Sequence, residues 1–284
     1  MIRCILLTAA SVALRLVDAE KLGVGQILPL SQSQLATLIW CLKWGLPLWA
    51  IRDFNSILNR WAENRWLWTN DKDNWNWKSE VAVVTGGSAG IGACVAKSLV
   101  AHGIKVAVLD VSPLSESFTE SEKQSIRYYK CDITSRDDIR RAADATRSDL
   151  GHPSILINNA GIAGAADYGC TKAALLAFHE ALTQELKHRY KCPQIKTSIV
   201  HPNWTKSAIT SHPALQAGLK RAGVSLLEAE DVAEAMVNQI IAAKGGQLIL
   251  GPAIASKLRA FPLWVQELIR DSQANMVTGG GSTS

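Results

Sequence analysis

Two kinds of hydrophobic pattern divide the chain. Between residues 80 and 250, short apolar runs alternate with segments whose apolar residues recur at helical spacing, which is typical of strands alternating with helices. Before residue 80, two longer apolar runs stand apart from this alternation. We therefore predict a hydrophobic flank over residues 1–78, an α/β domain over 79–253, and an amphipathic helix with a loose tail over 254–284.

Apolar runs rich in β-branched residues mark the predicted buried strands of a parallel sheet. The predicted strands are Glu80 to Thr85, Lys105 to Asp110, a run that closes at Cys131 to Thr134, Ser154 to Asn158, Ile195 to Val200 and Gln247 to Leu250. Helices are predicted from Ile91 to a stop at Gly103, around Asp138 to Thr146, from Tyr168, over Ala233 to Ala243, and over Ala260 to Arg270.

Neither apolar run of the flank is a clean membrane span. Cys4 to Val17 has fourteen residues and Leu35 to Ile51 has seventeen, and both are interrupted by polar or helix-disfavouring residues. A transmembrane helix needs roughly 20 mostly apolar residues, so the second run is borderline and the first resembles a signal-like or interfacial segment.

Tryptophan favours a membrane anchor over the alternatives for this flank. Eight of the ten tryptophans lie between Trp40 and Trp77, interleaved with Arg52, Arg60 and Arg65. Indole rings prefer the headgroup zone, and positively charged flanks tend to stay in the cytosol, so we expect the globular part to face the cytosol. A helix packed on the globular domain and a cleaved secretory peptide are the alternatives.

Composition excludes some classes of function. A hydrophobic content of 48% with 19% charged residues indicates a packed protein, and the net charge of +5 is spread without a basic block, which gives nucleic-acid binding little support. The six cysteines stand singly, which fits reduced thiols and predicts no metal site.

The turn after the first predicted strand is the most informative motif. Gly86 allows a tight turn, Gly90 lets the backbone approach a phosphate, and Gly92 lets the following helix pack closely on the strand. The N–H groups and dipole of that helix favour an anion. We therefore predict a dinucleotide pyrophosphate site in a doubly wound parallel sheet of the Rossmann type, with contacts at Thr85, Gly86, Ser88, Gly90, Ile91 and Gly92.

Asp110 ends the second predicted strand, where a carboxylate accepts hydrogen bonds from a ribose diol and repels a 2′-phosphate. NAD is therefore favoured, with NADP possible; the alternative is that Asp110 only caps a loop. Asp132, beside Ile133, is placed to contact the adenine, but Asp132 or Thr134 could equally cap the next helix. The small residues of Asn158, Asn159, Ala160 and Gly161 permit close approach of a ribose.

Tyr168 and Lys172 are four positions apart and so share one face of a helix. An unperturbed phenol has a pKa near 10, and an adjacent ammonium together with the positive charge of an oxidised nicotinamide favours the phenolate. The pair therefore predicts a general acid/base. His179 and His201 are interpreted as packing residues with satisfied hydrogen bonds.

These motifs, in this order, resemble those of the short-chain dehydrogenase/reductase family over about residues 80–252. The tryptophan-rich flank and the segments around His179 and Trp264 look like its membrane-associated, retinol-dehydrogenase and 17-beta-hydroxysteroid-dehydrogenase-like branch. The resemblance implies Tyr168 as acid/base, Lys172 as its partner and ribose ligand, and nicotinamide contacts at Pro202 and Ser207. It also implies a lipophilic alcohol or ketone substrate, a homodimer, and a location at the endoplasmic reticulum or lipid droplets.

One segment of the family pattern is missing. The family carries a helix and a strand with a catalytic serine between the Asn-Asn-Ala-Gly turn and the tyrosine, whereas this chain has six residues there, Ile162 to Asp167. Six residues span at most roughly 20 Å, and a parallel crossover needs about a dozen, so no such unit fits. The sheet should be one strand short, with Ile195 to Val200 able to pair in the vacated place. Two hypotheses follow. The chain is an NAD(P)-dependent oxidoreductase slowed by the lost serine, or it is a catalytically dead or mis-spliced family member that acts as a membrane-attached nucleotide-binding or interaction protein.

Overall fold

The structure, a computed structural model, describes residues 31–67, 71–161, 166–207, 210–211, 213–221, 223–251 and 260–277. The chain divides into two compact units, residues 1–69 and residues 70–284. This division falls before the predicted boundary after residue 78, and the boundary predicted after residue 253 stays a prediction.

The first unit contains one long described helix, α1 (Gln32–Glu63). Ser31 begins it with a capping box, in which Ser31 Oγ accepts from Gln34 N at 3.3 Å and Ser31 N donates to Gln34 Oε1 at 3.0 Å. The helix includes the apolar run Leu35 to Ile51, yet none of the described helices is long and apolar enough to cross a membrane. The run Cys4 to Val17 lies outside the described residues.

A four-stranded parallel sheet opens the second unit, in the order β3-β2-β1-β4. Its strands are β1 (Val81–Thr85), β2 (Lys105–Asp110), β3 (Ile126–Lys130) and β4 (Ile155–Asn158). The helices between them are α2 (Gly90–Ala101), α3 (Glu120–Ser125) and α4 (Arg136–Asp149). The predicted Rossmann-type alternation is confirmed, although the third strand ends at Lys130, before the predicted Cys131 to Thr134 segment.

Both faces of this sheet carry a hydrophobic core over β1 and β2, as expected for parallel strands. Val84 and Val108 belong to the larger cluster, which α2 joins through Leu99. Val83 and Ala107 point to the opposite face and pack in a smaller cluster with Ala142 of α4. Successive side chains of β1 and β2 are therefore buried on alternate faces of the sheet, and this packing fixes the strand that leads into the glycine turn.

The rest of the second unit forms a separate pair of parallel strands, β5 (Ser198–Pro202) and β6 (Gly246–Leu250). The helices around them are α5 (Ala166–Gln184), which continues into a π-helical turn (Glu185–Arg189), α6 (Pro213–Arg221), α7 (Ala229–Ile241) and α8 (Leu263–Val277).

Helices α5 and α7 hold this strand pair through side-chain hydrogen bonds. Gln239 of α7 donates from Nε2 to Ser198 Oγ at 2.9 Å, whereas Thr183 of α5 shares a hydroxyl hydrogen bond of 2.7 Å with Thr197, the residue before β5. Helix α7 also contacts the core of the first sheet, because its residues Ala233 and Val237 are buried in the larger core cluster with α2.

The described strands of the second unit do not form one continuous sheet. β4 pairs only with β1 and β5 pairs only with β6, so the expectation that the strand near residue 195 could pair in the vacated place is wrong. The connection between Gly161 and α5 is too short for a further helix and strand, and side-chain hydrogen bonds from α5 and α7 hold the start of β5 in its own pair. The sheet is therefore interrupted between β4 and β5.

Leu156 shows the consequence for packing. Its register partner Val83 is 9% exposed on the same face of the sheet, whereas Leu156 is 65% exposed. Its neighbours Ile155 and Ile157 point to the other face and are buried. A parallel strand is normally covered on both faces, so β4 lacks the layer that covers Val83.

The C-terminal helix α8 is also partly uncovered. It contacts α6, and Leu263, Trp264 and Leu268 expose more than 60% of their surface. The prediction that this helix covers a substrate cleft or touches a membrane stays a prediction.

The one-sided burial of β4 can be tested by a pair of substitutions. Ile157→Ala should lower the free energy of unfolding by about 2–4 kcal/mol, because it removes packed core atoms and leaves a cavity. Leu156→Ala should change it by less than about 0.5 kcal/mol, since the side chain is largely in water. Urea unfolding of the full chain, followed by far-UV circular dichroism, measures both. Equal losses would mean that Leu156 is covered in solution.

Candidate active site

The glycine turn between β1 and α2 has the geometry of an anion site. Gly86 and Gly90 have positive φ values of 64° and 56°, a region that glycine enters without steric cost. Ala89 is the N-cap of α2 and makes no side-chain cap hydrogen bond, and the first turn of the helix carries no acidic residue. The N–H groups of that turn are therefore left to bind an anion.

Gly92 is required for a different reason, which is close packing. A Cβ at this position would lie 2.2 Å from Gly86 O and 2.5 Å from Asn159 Nδ2. Gly86 is similarly crowded, since its Cβ would lie 2.8 Å from the Cα of Ala160. The turn and the end of β4 therefore contact each other through bare backbone.

Hydrogen bonds join the same two segments. Asn159 N and Ala160 N each donate to Thr85 Oγ1 at 3.1 Å, and Asn159 Nδ2 donates to Thr85 O at 3.2 Å and to Gly86 O at 3.0 Å. Thr85 and Asn159 thus position the turn. Their predicted contacts with a cofactor stay predictions, together with those of Ile91, which packs on the core cluster, and Asn158.

Asp110 organises the loop at the end of β2. Its Oδ2 accepts from Ser88 N and its Oδ1 from Ser112 N, both at 3.0 Å. Ser88 is 1% exposed, and its hydroxyl donates to Ser112 O at 2.9 Å. Asp110 therefore caps this loop, and each carboxylate oxygen keeps a further lone pair for a ribose hydroxyl, so its predicted cofactor contact stays a prediction.

Asp132 forms a local turn beyond β3. Its Oδ1 accepts from Thr134 Oγ1 at 2.7 Å and from Thr134 N at 2.9 Å, and these two hydrogen bonds lower the pKa of the Asp132 carboxyl. Ser135 is the N-cap of α4, with its side chain accepting from Asp138 N, so the prediction that Asp132 or Thr134 caps this helix is wrong. Ile133 is exposed beside them.

These residues meet at one edge of the first sheet, because the carboxyl ends of parallel strands lie together. In sheet order this edge carries the Asp132 turn, Asp110, the glycine turn, and the residues from Asn158 to Gly161.

Lys172 joins that edge from α5. Its Nζ lies 3.8 Å from the point that a Cβ on Gly161 would occupy. Tyr168 lies one helical turn earlier on α5, on the face shared by positions four apart. The side chain of Tyr168 lies outside the described residues.

Ser207 brings the second strand pair to the glycine turn. Its Cβ is 4.0 Å from the point that a Cβ on Gly90 would occupy. Ser207 N donates to Thr210 Oγ1 at 3.0 Å, and the hydroxyl of Thr210 donates in turn to Thr205 O at 2.8 Å. Thr210, 5% exposed, was not predicted; the Ser-x-x-Thr spacing is the signal that indicates it.

Of the residues at the end of β5, His201 differs from expectation in its hydrogen bonding. Pro202 pairs with Leu250, and Asn203 N donates to Leu250 O at 2.8 Å. His201 Nε2 is buried and, in the part of the chain that the structure describes, makes no hydrogen bond. The interpretation of His201 as a satisfied packing residue is therefore wrong, because a buried imidazole nitrogen is polar whether it donates or accepts.

The family of short chain dehydrogenases matches residues 80–167, which include the glycine turn and extend from β1 into the start of α5. Residues 80–167 therefore carry the pattern of the short-chain dehydrogenase/reductase family, and known dehydrogenases resemble the chain over a larger part.

Relatives in this dehydrogenase/reductase family match part of the chain. Dehydrogenase RED2 of Cochliobolus heterostrophus is 29% identical over 203 residues, with 51% of this chain and 76% of that protein covered. Zerumbone synthase of Zingiber zerumbet is 33% identical over 165 residues, covering 52% and 61%. Short chain aldehyde dehydrogenase 1 of Euphorbia lathyris is 38% identical over 93 residues, covering 32% of each chain. The chain thus spans from about a third to three-quarters of these relatives.

Solved short-chain dehydrogenase/reductase structures share the fold. A 3-ketoacyl-(acyl-carrier-protein) reductase from Brucella melitensis, crystallised with NADH, has a TM-score of 0.53 and 20% identity over 61% of this chain and 97% of that chain. A double mutant of a Serratia marcescens short-chain dehydrogenase/reductase has a TM-score of 0.51 and 20% identity, covering 60% of this chain and 96% of that chain.

The lengths of one match agree with the interrupted sheet. The alignment with Dehydrogenase RED2 runs over 203 residues but takes up only 51% of this 284-residue chain. That relative therefore has residues inside the matched region that this chain lacks. A segment missing between β4 and β5 accounts for such a difference.

Replacing Gly92 tests the turn. Gly92→Ala should weaken NADH binding at least about tenfold, because the added methyl group must displace backbone at the anion site. Gly151→Ala is the control for backbone strain alone, since Gly151 has a φ of 102° with nothing within 4 Å of its Cβ position. Fluorescence titration with NADH measures both, and equal affinities for Gly92→Ala and the unaltered chain would contradict the assignment.

Replacing Thr85 tests the join to β4. Thr85→Val keeps the shape but leaves the partly buried N–H groups of Asn159 and Ala160 without their acceptor, so the free energy of unfolding should fall by about 1–3 kcal/mol. Thr85→Ser keeps the hydroxyl and should lose clearly less. Chemical denaturation measures the difference, and identical losses for the two variants would show that the hydroxyl is not what matters.

Proposed function

We propose that the chain is an NAD-dependent oxidoreductase that transfers hydride between the nicotinamide and a lipophilic alcohol or ketone. The observation that carries the proposal is the meeting of three elements at one sheet edge. These are the uncapped N-terminus of α2, the bare backbone of the glycine turn, and the Lys172 ammonium beside Gly161.

NAD fits this edge better than NADP. The Asp110 carboxylate lies where the second strand ends, already held by Ser88 N and Ser112 N, and would repel a 2′-phosphate. No basic side chain occurs among residues 86–90 or 111–113 to offset that repulsion.

Pairing of a phenol with an ammonium supplies the proton chemistry. In the reducing direction, Tyr168 donates its hydroxyl proton to the substrate oxygen, which becomes an alcohol, and is left as a phenolate stabilised by Lys172. In the oxidising direction the same phenolate accepts the alcohol proton. The nicotinamide accepts or supplies the hydride when it is bound.

A second candidate function is nucleotide binding without turnover, and the break between β4 and β5 favours it. A strand in that position brings a hydroxyl to the reacting oxygen in the family. Loss of one such donor typically slows an enzyme by about 100- to 1,000-fold. Turnover by this chain is therefore expected to be slow. If no turnover is measured, nucleotide binding without turnover is the function that remains.

Substrate class and location belong to the same proposal. The proposed substrate is lipophilic, of the retinoid or steroid kind. Because such substrates partition into lipid, we propose that the chain also contacts a membrane surface, at the endoplasmic reticulum or lipid droplets and facing the cytosol. The exposed Trp264, Leu263 and Leu268 of α8 support contact with apolar molecules. A homodimer stays a prediction.

Tyr168→Phe separates the two functions. NADH binding, followed by fluorescence, should be within about twofold of the unaltered chain, while turnover with retinol or a steroid alcohol should disappear because no other phenol takes its proton. Tyr190→Phe, at an exposed position, is the matched control and should keep full turnover. A Tyr168→Phe variant that retains the rate contradicts the mechanism, and binding without turnover in the unaltered chain favours the second function.

A further inference from the structure

The first unit exposes an unusually large apolar surface on α1. Eight large side chains between Leu38 and Phe54, here called the α1 apolar patch, are each at least 38% exposed. Leu48 reaches 67% and Trp40 63%. The members are Leu38, Trp40, Leu42, Trp44, Leu48, Trp49, Ile51 and Phe54.

The patch extends around the helix and is not a single stripe. At about 100° per residue, Trp40 and Trp49 lie on opposite sides, and Leu42 and Trp44 are about 160° apart. A protein groove covers one stripe of a helix. Acyl chains and headgroups can contact all of these side chains at once, so the angular spread favours lipid over a docked partner.

The exposed charged residues of α1 lie outside the α1 apolar patch or near its C-terminal end. Lys43 is half-buried, and the exposed residues from Leu38 to Ile51 carry no charge. The first exposed charges beyond that stretch are Arg52 and then Arg60, both positive. Arginine side chains of this kind extend toward lipid phosphates while their aliphatic parts stay on apolar surface.

Length decides between spanning and lying in the membrane surface. Residues 38–51 extend roughly 21 Å as a helix, short of the roughly 30 Å of a hydrocarbon core, and no described helix qualifies as a span. Tryptophan also prefers the headgroup level to the bilayer centre.

We propose that the α1 apolar patch binds a lipid bilayer from one side, with residues 38–51 lying in the headgroup and upper acyl region of one leaflet and Arg52 and Arg60 at its phosphates. This extends the membrane contact included in the proposed function and gives it a surface. It requires neither NADH binding nor turnover.

The test is sedimentation of the full chain with phosphatidylcholine vesicles, with and without phosphatidylserine. The unaltered chain should bind both and bind the anionic vesicles more tightly, with the difference shrinking at high salt. Trp44→Glu combined with Leu48→Glu should weaken binding at least about tenfold, because charges cost most where lipid surrounds them. The matched control, Tyr190→Glu combined with Ile195→Glu, changes two exposed apolar residues of the second unit and should bind as the unaltered chain does.

Depth is measured with brominated lipids. The difference in tryptophan quenching between the unaltered chain and a Trp40→Phe, Trp44→Phe, Trp49→Phe variant should be larger for bromines near the headgroup than for bromines deep in the acyl chains. Stronger quenching by the deep bromines would overturn the interfacial placement.

Other outcomes are equally decisive. If the unaltered chain does not sediment with vesicles, or the glutamate variant sediments equally well, the proposal is wrong. If light scattering shows a dimer that the glutamate variant dissociates while vesicle binding is absent, the patch binds a second copy instead. NADH titration of the glutamate variant keeps this separate from the proposed function, because its affinity for NADH should be unchanged.

Discussion

Gly92 has no room for a methyl group, because Gly86 O and Asn159 Nδ2 already lie where a Cβ would be. The rest of the site depends on this contact. It places the start of α2 directly over the end of β1, and the hydrogen bonds from Asn159 and Ala160 to Thr85 fix β4 beside it. Asp110 then reaches Ser88 N across the turn. The close contact between the glycine turn and the end of β4 therefore positions the side chains of Thr85, Asn159 and Asp110 around it.

Local signals explain which parts could be predicted. The glycine spacing, the β-branched run before it and the acidic residue after the second strand are each determined within a few residues, and the structure has the strands and α2 near their predicted positions. The N-cap of α4 was missed, because Asp132, Thr134 and Ser135 are equally good caps by chemistry and only tertiary geometry selects Ser135. The close approach of Ser207 to Gly90 joins residues far apart in sequence, and no local pattern indicates it.

The pairing of β5 could not be predicted for a related reason. Its sequence is suited to a buried parallel strand whichever neighbour it has, so the choice lies in the connection and the packing. Thr197 is held by Thr183 of α5, and Ser198 is held by Gln239 of α7. These contacts keep β5 with β6, and α5 still brings Lys172 to Gly161. The cofactor edge is therefore kept while the neighbourhood of the reacting oxygen is altered.

Attachment of the β5–β6 pair to the first sheet through the α2–α7 contact has a consequence for cooperativity. In a continuous sheet, strand hydrogen bonds couple all strands into one folding transition, whereas here side chains such as Ala233 and Val237 carry that coupling. Packing contacts of this kind can open sub-globally at a lower free energy than the whole domain. Amide hydrogens of β5 and β6 should therefore exchange with solvent earlier than those of β1 and β2, as two foldons within one unit.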